Sequence, residues 1–279
     1  MRVAPGLRRI VADNPSKFTA WGTGTYLVGD DAVVVIDPGP ALDTHVDALL
    51  RALRGESLAA VLITHTHADH SPAAAALCAA TGASTFAFGP HPVDEGTEST
   101  DSEEHGDVDF VPDVEVGHGD VLQFGGATFE CLHTPGHISN HVCYSWSGGD
   151  ALFTGDHVMG WSTSVISPPE GRVPDYLDSL RLLLGRDETV YYPTHGPPIT
   201  SPHAHVRALL EHRLERERQI VALLGDGPLT VAELVAVMYA DVHPELHEPA
   251  GRSVTAHLIA LIEAGRVVGP DDADRYSVR

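Results

Sequence analysis

The segment Thr64-His65-Thr66-His67-Ala68-Asp69-His70 sets three imidazoles and a carboxylate within six positions, directly after the apolar run Leu58–Ile63. Side chains alternate in extended backbone, so His65 and His67 project to one side, and the turn that follows can bring Asp69 and His70 to a neighbouring point. Two adjacent metal positions are the chemistry this spacing supports. Further candidate ligands stand in the same local setting, at or just beyond the end of an apolar strand: His137 after Thr134-Pro135-Gly136, Asp156 in Thr154-Gly155-Asp156-His157, and His195 in Thr194-His195-Gly196-Pro197. Asp37, at the head of Asp37-Pro38-Gly39-Pro40, has two readings: a turn residue, or a carboxylate that orients the histidine loop, as metal sites commonly require. His133 and His157 are left unassigned, and His141 and Tyr176 are placed as candidates for a substrate pocket around Asp156. A Ser-His-Asp hydrolase is the poorer alternative, because no Gly-x-Ser-x-Gly elbow is present.

The elements that must carry these residues alternate in type. Residues Gly22–Gly29 and Ala32–Ile36 predict a β-hairpin, Leu42–Leu53 a helix, Leu58–Ile63 a buried strand, Ser71–Ala80 a helix and Ala83–Phe88 a strand. Val121–Leu132, Val142–Trp146 and Ala151–Phe153 predict further strands, Pro174–Leu184 a helix, and Thr189–Pro193 a last strand before His195. Between them, residues 89–120 carry eleven acidic side chains and no lysine or arginine, which predicts a solvated insertion. His91, His105 and His118 in this stretch are not taken as ligands. Residues 1–202 are expected to form one catalytic domain and 203–279 a smaller one. In the latter, helical patterns at Ala204–Leu224, Thr230–Tyr239 and Ser253–Ala264 precede a hairpin at Arg266–Val268 and Arg275–Val278, the order of a winged helix.

The formal charge of −22, from 39 acidic and 17 basic residues, opposes an unaided grip on nucleic-acid phosphates or anionic membranes. Residues 201–279 hold eight arginines, no lysine and twelve acidic residues, so the candidate winged helix lacks a basic face and is expected to serve in packing or dimerisation. Cys78, Cys131 and Cys143 are odd in number with no close spacing, which excludes a disulfide framework and a thiolate zinc site and fits a reducing cytoplasm. The first seventeen residues lack the apolar region of a secretory signal, and no run reaches the ~18 apolar residues of a membrane span.

The ordered series Asp37, His65, His67, Asp69, His70, His137, Asp156 and His195 resembles the metallo-β-lactamase fold hydrolase superfamily across roughly residues 17–200. With Asn14-Pro15, the glycine-rich Gly22–Gly29 strand and the C-terminal pattern, the chain is similar to the lactamase-beta-2-like subfamily. It departs from that subfamily at Gly24, where asparagine is usual. The resemblance implies a four-layer αββα sandwich with a C-terminal winged helix. It also implies one metal held by His65, His67 and His137, a second held by Asp69, His70 and His195, and Asp156 and a hydroxide between them. Imidazole and carboxylate ligands without thiolates suit Zn²⁺, with Mn or Fe left open by ligand type. Asp69 and Asp156 are the expected catalytic carboxylates.

Asp156 resembles the bridging carboxylate of the thioesterase, lactonase and nuclease branches, whereas true β-lactamases typically lack it. β-Lactam hydrolysis is therefore disfavoured. The expected function is hydrolysis of a small ester or thioester, the acidic surface weighing against RNA. The alternatives are a metal-dependent single-strand endoribonuclease and, further off, a metal- or ligand-sensing DNA-binding regulator.

Overall fold

The computed structural model describes residues 1–92 and 106–279, so the part of the acidic stretch from 93 to 105, with His105, lies outside the described residues. The chain divides into two compact units. The first comprises Met1–Thr134, Asn140–Ser164 and Arg186–Pro202, and the second Pro135–Ser139, Val165–Gly185 and His203–Arg279.

In the first unit, β1 (Arg2–Ala4), β2 (Leu7–Val11), β3 (Gly24–Val28) and β4 (Ala32–Ile36) form an antiparallel meander. Helix α1 (Asp43–Ala52) then crosses to β5 (Ser57–Leu62), and α2 (Ala73–Thr81) to β6 (Thr85–Ala87). With β7 (Val114–Glu115), β5 and β6 extend the same sheet by parallel pairing, giving seven strands in sequence order. A second sheet is built from β8 (Val121–Phe124), β9 (Ala127–His133), β10 (Val142–Trp146) and β11 (Ala151–Gly155), all antiparallel, and from β12 (Val190–Pro193), parallel to β11.

The pleat explains why these strands read as unbroken apolar runs. Val34, Ile36 and Leu62 of the first sheet share one core with Phe129, Val142, Tyr144 and Phe153 of the second. Val33, Val35 and Val61 face the opposite way, onto Leu49 and Leu53 from α1 and its end and Ala74 and Leu77 of α2. Both faces are therefore covered, and alternation of apolar with polar residues is lost. Each large aliphatic side chain so buried contributes roughly 1.5–3 kcal/mol.

Two features were not resolved by the sequence pattern. Residues 1–17 hold strands β1 and β2, and the mixed Leu7-Arg8-Arg9-Ile10-Val11 run uses both arginines as anchors. The described end of the acidic stretch is also bonded into the domain rather than merely solvated. Asp113 Oδ2 accepts from the Thr85 amide and hydroxyl at 2.8 and 2.9 Å, and Asp107 Oδ2 accepts from Ser71 Oγ at 2.7 Å. The Asp107 amide donates to Thr66 O at 2.7 Å, so this segment braces the histidine loop.

The second unit contains α3 (Val173–Leu184), α4 (Pro202–Gly225, less its first residue), α5 (Val231–Met238), α6 (His247–Glu263) and the hairpin β13 (Val267–Val268) with β14 (Ser277–Val278). Its core gathers Ile220, Leu224, Leu234, Val235, Val254, Leu258, Leu261 and Val267. Thr230 and Glu233 close a reciprocal capping box at the start of α5. Helix α6 begins at His247, six residues ahead of the expected Ser253, and Pro249 is accommodated because it lies in the first turn, where a missing amide is tolerated. Among the described residues, no helix is long and apolar enough to cross a membrane.

Candidate metal centre

The ends of β4, β5, β11 and β12 converge on Asp37. Its backbone leaves β4 with φ of 49°, a left-handed conformation that aspartate tolerates better than most residues. The carboxylate is buried. Its Oδ1 accepts from the Thr64 amide at 2.8 Å, and its Oδ2 accepts from Thr64 Oγ1 at 2.8 Å, Thr194 Oγ1 at 2.9 Å and His70 Nδ1 at 3.0 Å. Since the Thr64 hydroxyl gives its proton to this carboxylate, the ring nitrogen 3.0 Å from it, His65 Nδ1, is the donor in that pair. Both His65 and His70 are therefore oriented with Nδ1 directed into the Asp37 network and Nε2 turned outward, the tautomer a metal requires.

Around these Nε2 atoms the first unit gathers the other predicted residues. The donor atoms of His65, His70 and Asp156, and those of Asp69, His70 and His195, each lie within 4.8 Å of one another. His65 Nε2 lies 2.9 Å from His67 Nδ1. His70 Nε2 is 3.4 Å from Asp69 Oδ1 and 3.6 Å from Asp156 Oδ1, while His195 Nε2 is 3.2 Å from Asp69 Oδ2 and 3.4 Å from Asp156 Oδ1. His70 Nε2 and Asp156 Oδ1 are buried and make no hydrogen bond among the described residues. Polar atoms of this kind, converging without mutual hydrogen bonds, fit a cation between them.

The electrostatics are those of a tightly coupled cluster. Burial disfavours charge on His70, but Asp69, Asp156 and Asp37 outweigh it and hold the imidazole well above its usual range. His195 is likewise opposed by burial and raised to about 10 by Asp156 and Asp69. Burial would raise the Asp156 carboxyl, yet His195 and His70 hold it well below the ordinary carboxylate range, and Asp69 is lowered in the same way.

Several supporting side chains carried no signal strong enough to be singled out in the sequence. Thr23 Oγ1 donates to Asp69 Oδ2 at 2.7 Å, and Asn14 in turn holds Thr23 through both its amide groups. Asn140 Nδ2 donates to Thr66 Oγ1 at 2.8 Å, and that hydroxyl also pairs with His91 Nδ1 at 2.9 Å. The only available cue was the repeated threonine at strand ends: Thr23, Thr64 and Thr194 each flank a carboxylate or histidine segment.

The remaining predicted residues are placed as follows. His141 is buried, its ring stacked 5.2 Å from that of His65 and its Nδ1 2.9 Å from Thr134 Oγ1. His133 stacks on Phe88 at 3.9 Å. His137 belongs to the second unit, where its Nδ1 donates to Val165 O at 2.6 Å, leaving this ring too with a fixed tautomer. Tyr176 is also in the second unit and fully buried, with the Arg213 guanidinium 5.4 Å from its ring and its backbone against Gly136. Cys131 and Cys143 are buried, which pushes their thiols up to about 12 and removes them as thiolate ligands.

Gly155, the last residue of β11 and the one before Asp156, is required by its surroundings. Its φ is 49°, and a Cβ there would lie 2.6 Å from both His141 Nε2 and Thr64 Oγ1. Gly155→Ala is expected to destabilise the fold by about 2–4 kcal/mol, combining left-handed strain with overpacking, as read from the urea midpoint at constant m-value.

Comparison with known proteins agrees with this architecture. Residues 19–195 match the model of the metallo-beta-lactamase superfamily, and residues 230–275 that of the beta-lactamase associated winged helix domain. An atrochrysone carboxyl ACP thioesterase of Aspergillus chevalieri is 30% identical over 260 residues, covering 89% of this chain and 78% of the relative. The solved beta-lactamase domain protein from Burkholderia ambifaria superposes with a TM-score of 0.83 at 22% identity, over 100% of this chain and 93% of that one. A further solved chain, in a di-iron-bound form, matches with a TM-score of 0.54 at 26% identity, over 74% of this chain and 97% of its own. The strand ends that bring a His/Asp cluster together on an αββα scaffold, followed by a winged helix, place this chain among the hydrolases of the metallo-β-lactamase superfamily.

Proposed function

We propose that the protein is a dinuclear metal-dependent thioesterase. The observation that carries this reading is the pair of overlapping donor sets, His65, His70 and Asp156 with Asp69, His70 and His195, converging around one buried carboxylate oxygen. His65, His67 and His137 are assigned to one metal and Asp69, His70 and His195 to the other, with Asp156 between them. The assignment of His137 rests on chain order and on its fixed tautomer. Zn²⁺ suits these donors, and the di-iron form of the solved neighbour makes iron the natural second choice, with Mn²⁺ also compatible with the ligand types.

When bound, the ions supply a hydroxide at neutral pH and polarise the substrate carbonyl. The chain's own residues do the rest. Asp37 and Thr64 lock His65 and His70, Thr23 locks Asp69, and the buried setting of Asp69 and Asp156 strengthens every charge interaction near the carbonyl. In the reaction the carbonyl carbon gains a C–O bond from water and loses its C–S bond, releasing a carboxylic acid and a thiol.

A thioester is favoured over RNA by the similarity to an acyl-carrier thioesterase and by the charge of −22, which repels a polyanion. Trp21 and Trp161, 72% and 41% exposed, stand beside residues that bond the centre: Trp21 two positions before Thr23, and Trp161 next to Gly160, whose amide donates to His195 O. They offer apolar surface to an acyl group. Action in a reducing cytoplasm, in keeping with the three free cysteines, and a homodimer formed through the winged helix complete the proposal.

The test is parallel turnover on a panel of acyl-pantetheine thioesters and on labelled single-stranded RNA. Thioester hydrolysis is expected, lost on chelation and restored by Zn²⁺, Fe²⁺ or Mn²⁺. RNA cleavage abolished by His67→Ala, without thioester turnover, would replace this reading by the endoribonuclease.

A further inference from the structure

We infer that Arg9 is a positioning residue for His195, and that Gly24 is the small residue that lets it act. The inference rests on the reading of His195 as a metal ligand. It begins from the alternation of β2, whose adjacent arginines point to opposite sides. Arg8 turns to α1 and the loop beyond it, where Nη1 donates to Ala52 O at 2.9 Å and Nη2 to Glu56 Oε2 at 2.7 Å. Arg9 turns instead across β3, its guanidinium 5.2 Å from the centre of the Tyr26 ring.

There the guanidinium brackets the ligand. Arg9 Nη2 donates to Thr194 O at 2.7 Å and Nη1 to Gly196 O at 2.6 Å, so one rigid fork grips the carbonyls on either side of His195. The neighbouring carbonyls are also taken: Pro193 O by Tyr26 Oη at 2.7 Å, and His195 O by the Gly160 amide at 3.0 Å. Four consecutive carbonyls are thus held from three separate segments. A backbone held in this way fixes the direction of the His195 Cα–Cβ bond, and the planar guanidinium is the side chain suited to two acceptors at a set spacing. Lysine, a point donor, cannot satisfy both.

Gly24 completes the device. Its amide donates to the same Thr194 carbonyl at 3.0 Å, and a Cβ at this position would fall 2.1 Å from Arg9 Nε and 2.4 Å from Nη2. Any side chain at position 24 therefore displaces the fork. The departure from asparagine at Gly24 and the presence of Arg9 are two halves of one arrangement.

The experiment compares Arg9→Ala, Arg9→Lys and Gly24→Val with Arg8→Ala, a control of the same charge change on the same strand. Metal uptake is measured by competition with a chromophoric zinc chelator, and hydrogen–deuterium exchange is followed in the peptide spanning residues 191–199. The three test variants are expected to weaken one of two zinc equivalents by about 10–100-fold, the usual effect of losing a partner that orients a ligand, and to speed exchange in that peptide. Arg8→Ala is expected to lower the melting temperature while leaving both zinc affinities and the exchange rate as in the wild type. Wild-type zinc affinity in Arg9→Ala, or a loss matched by Arg8→Ala, overturns the assignment of Arg9. Wild-type protein that binds no zinc overturns the metal reading itself, a result distinct from either.

Discussion

Replacing Asp156 with alanine lowers kcat/KM for the best thioester by about 10³-fold or more, equivalent to about 4 kcal/mol of transition-state stabilisation. This exceeds the 10–100-fold that removal of a partner behind a metal ligand typically costs. The reason is geometric. Asp156 Oδ1 is the carboxylate oxygen that addresses His70 and His195 together, at 3.6 and 3.4 Å, and it belongs to a donor set with His65. Asp156→Asn keeps the shape but removes the charge, and is expected to lose nearly as much. Metal analysis of both variants should find fewer than two equivalents per chain, with circular dichroism confirming the fold. An alanine variant that retains both equivalents and turns over within tenfold of the wild type would sink the bridging role.

Asp37→Ala is expected to cost about 3–5 kcal/mol of folding stability, the cost of leaving one side of a buried ionic and hydrogen-bonded group without its partner. The Thr64 amide, the hydroxyls of Thr64 and Thr194, and His70 Nδ1 all donate to this one carboxylate. The loss is structural as well as functional, because those donors come from the ends of β5 and β12 and from the histidine loop. Asp37→Asn is expected to fall between wild type and alanine, since asparagine tolerates the positive φ and keeps one acceptor oxygen, but its NH₂ group meets donors. Urea unfolding with and without chelator separates the two contributions. Equal stability of Asp37→Ala and wild type in chelator would show that the network serves only the metal.

Much of this centre was legible because its donors are local in sequence. His65, His67, Asp69 and His70 sit in one loop, and Asp156 and His195 each follow a strand that an apolar run announces. Among the described residues, helix and strand patterns located eleven of the fourteen strands and all six α-helices, with the start of α6 six residues out, since buried parallel strands and amphipathic helices leave strong periodic signals. Sequence pattern is less informative where packing overrides composition. The acidic run looked solvated, yet Asp107 and Asp113 are structural acceptors, because a carboxylate beside a threonine hydroxyl is indistinguishable in sequence from one in water. The burial of Tyr176 beneath Arg213 depends on α4, a later element that no local pattern ties to it.

The sequence by itself determined the chemistry available, because imidazole and carboxylate are properties of residue type and their strand-end settings are local. It also determined the fold, through periodicity over many residues. Only the tertiary structure decided which atom of each ligand faces the centre. That choice is made by partners remote in the chain: Asp37 for His65 and His70, Thr23 for Asp69, and Arg9, 185 positions from Thr194, for the segment that carries His195. Such pairings arise from sheet order and register, which bring β2 and β3 beside the end of β12, and no short-range pattern encodes them.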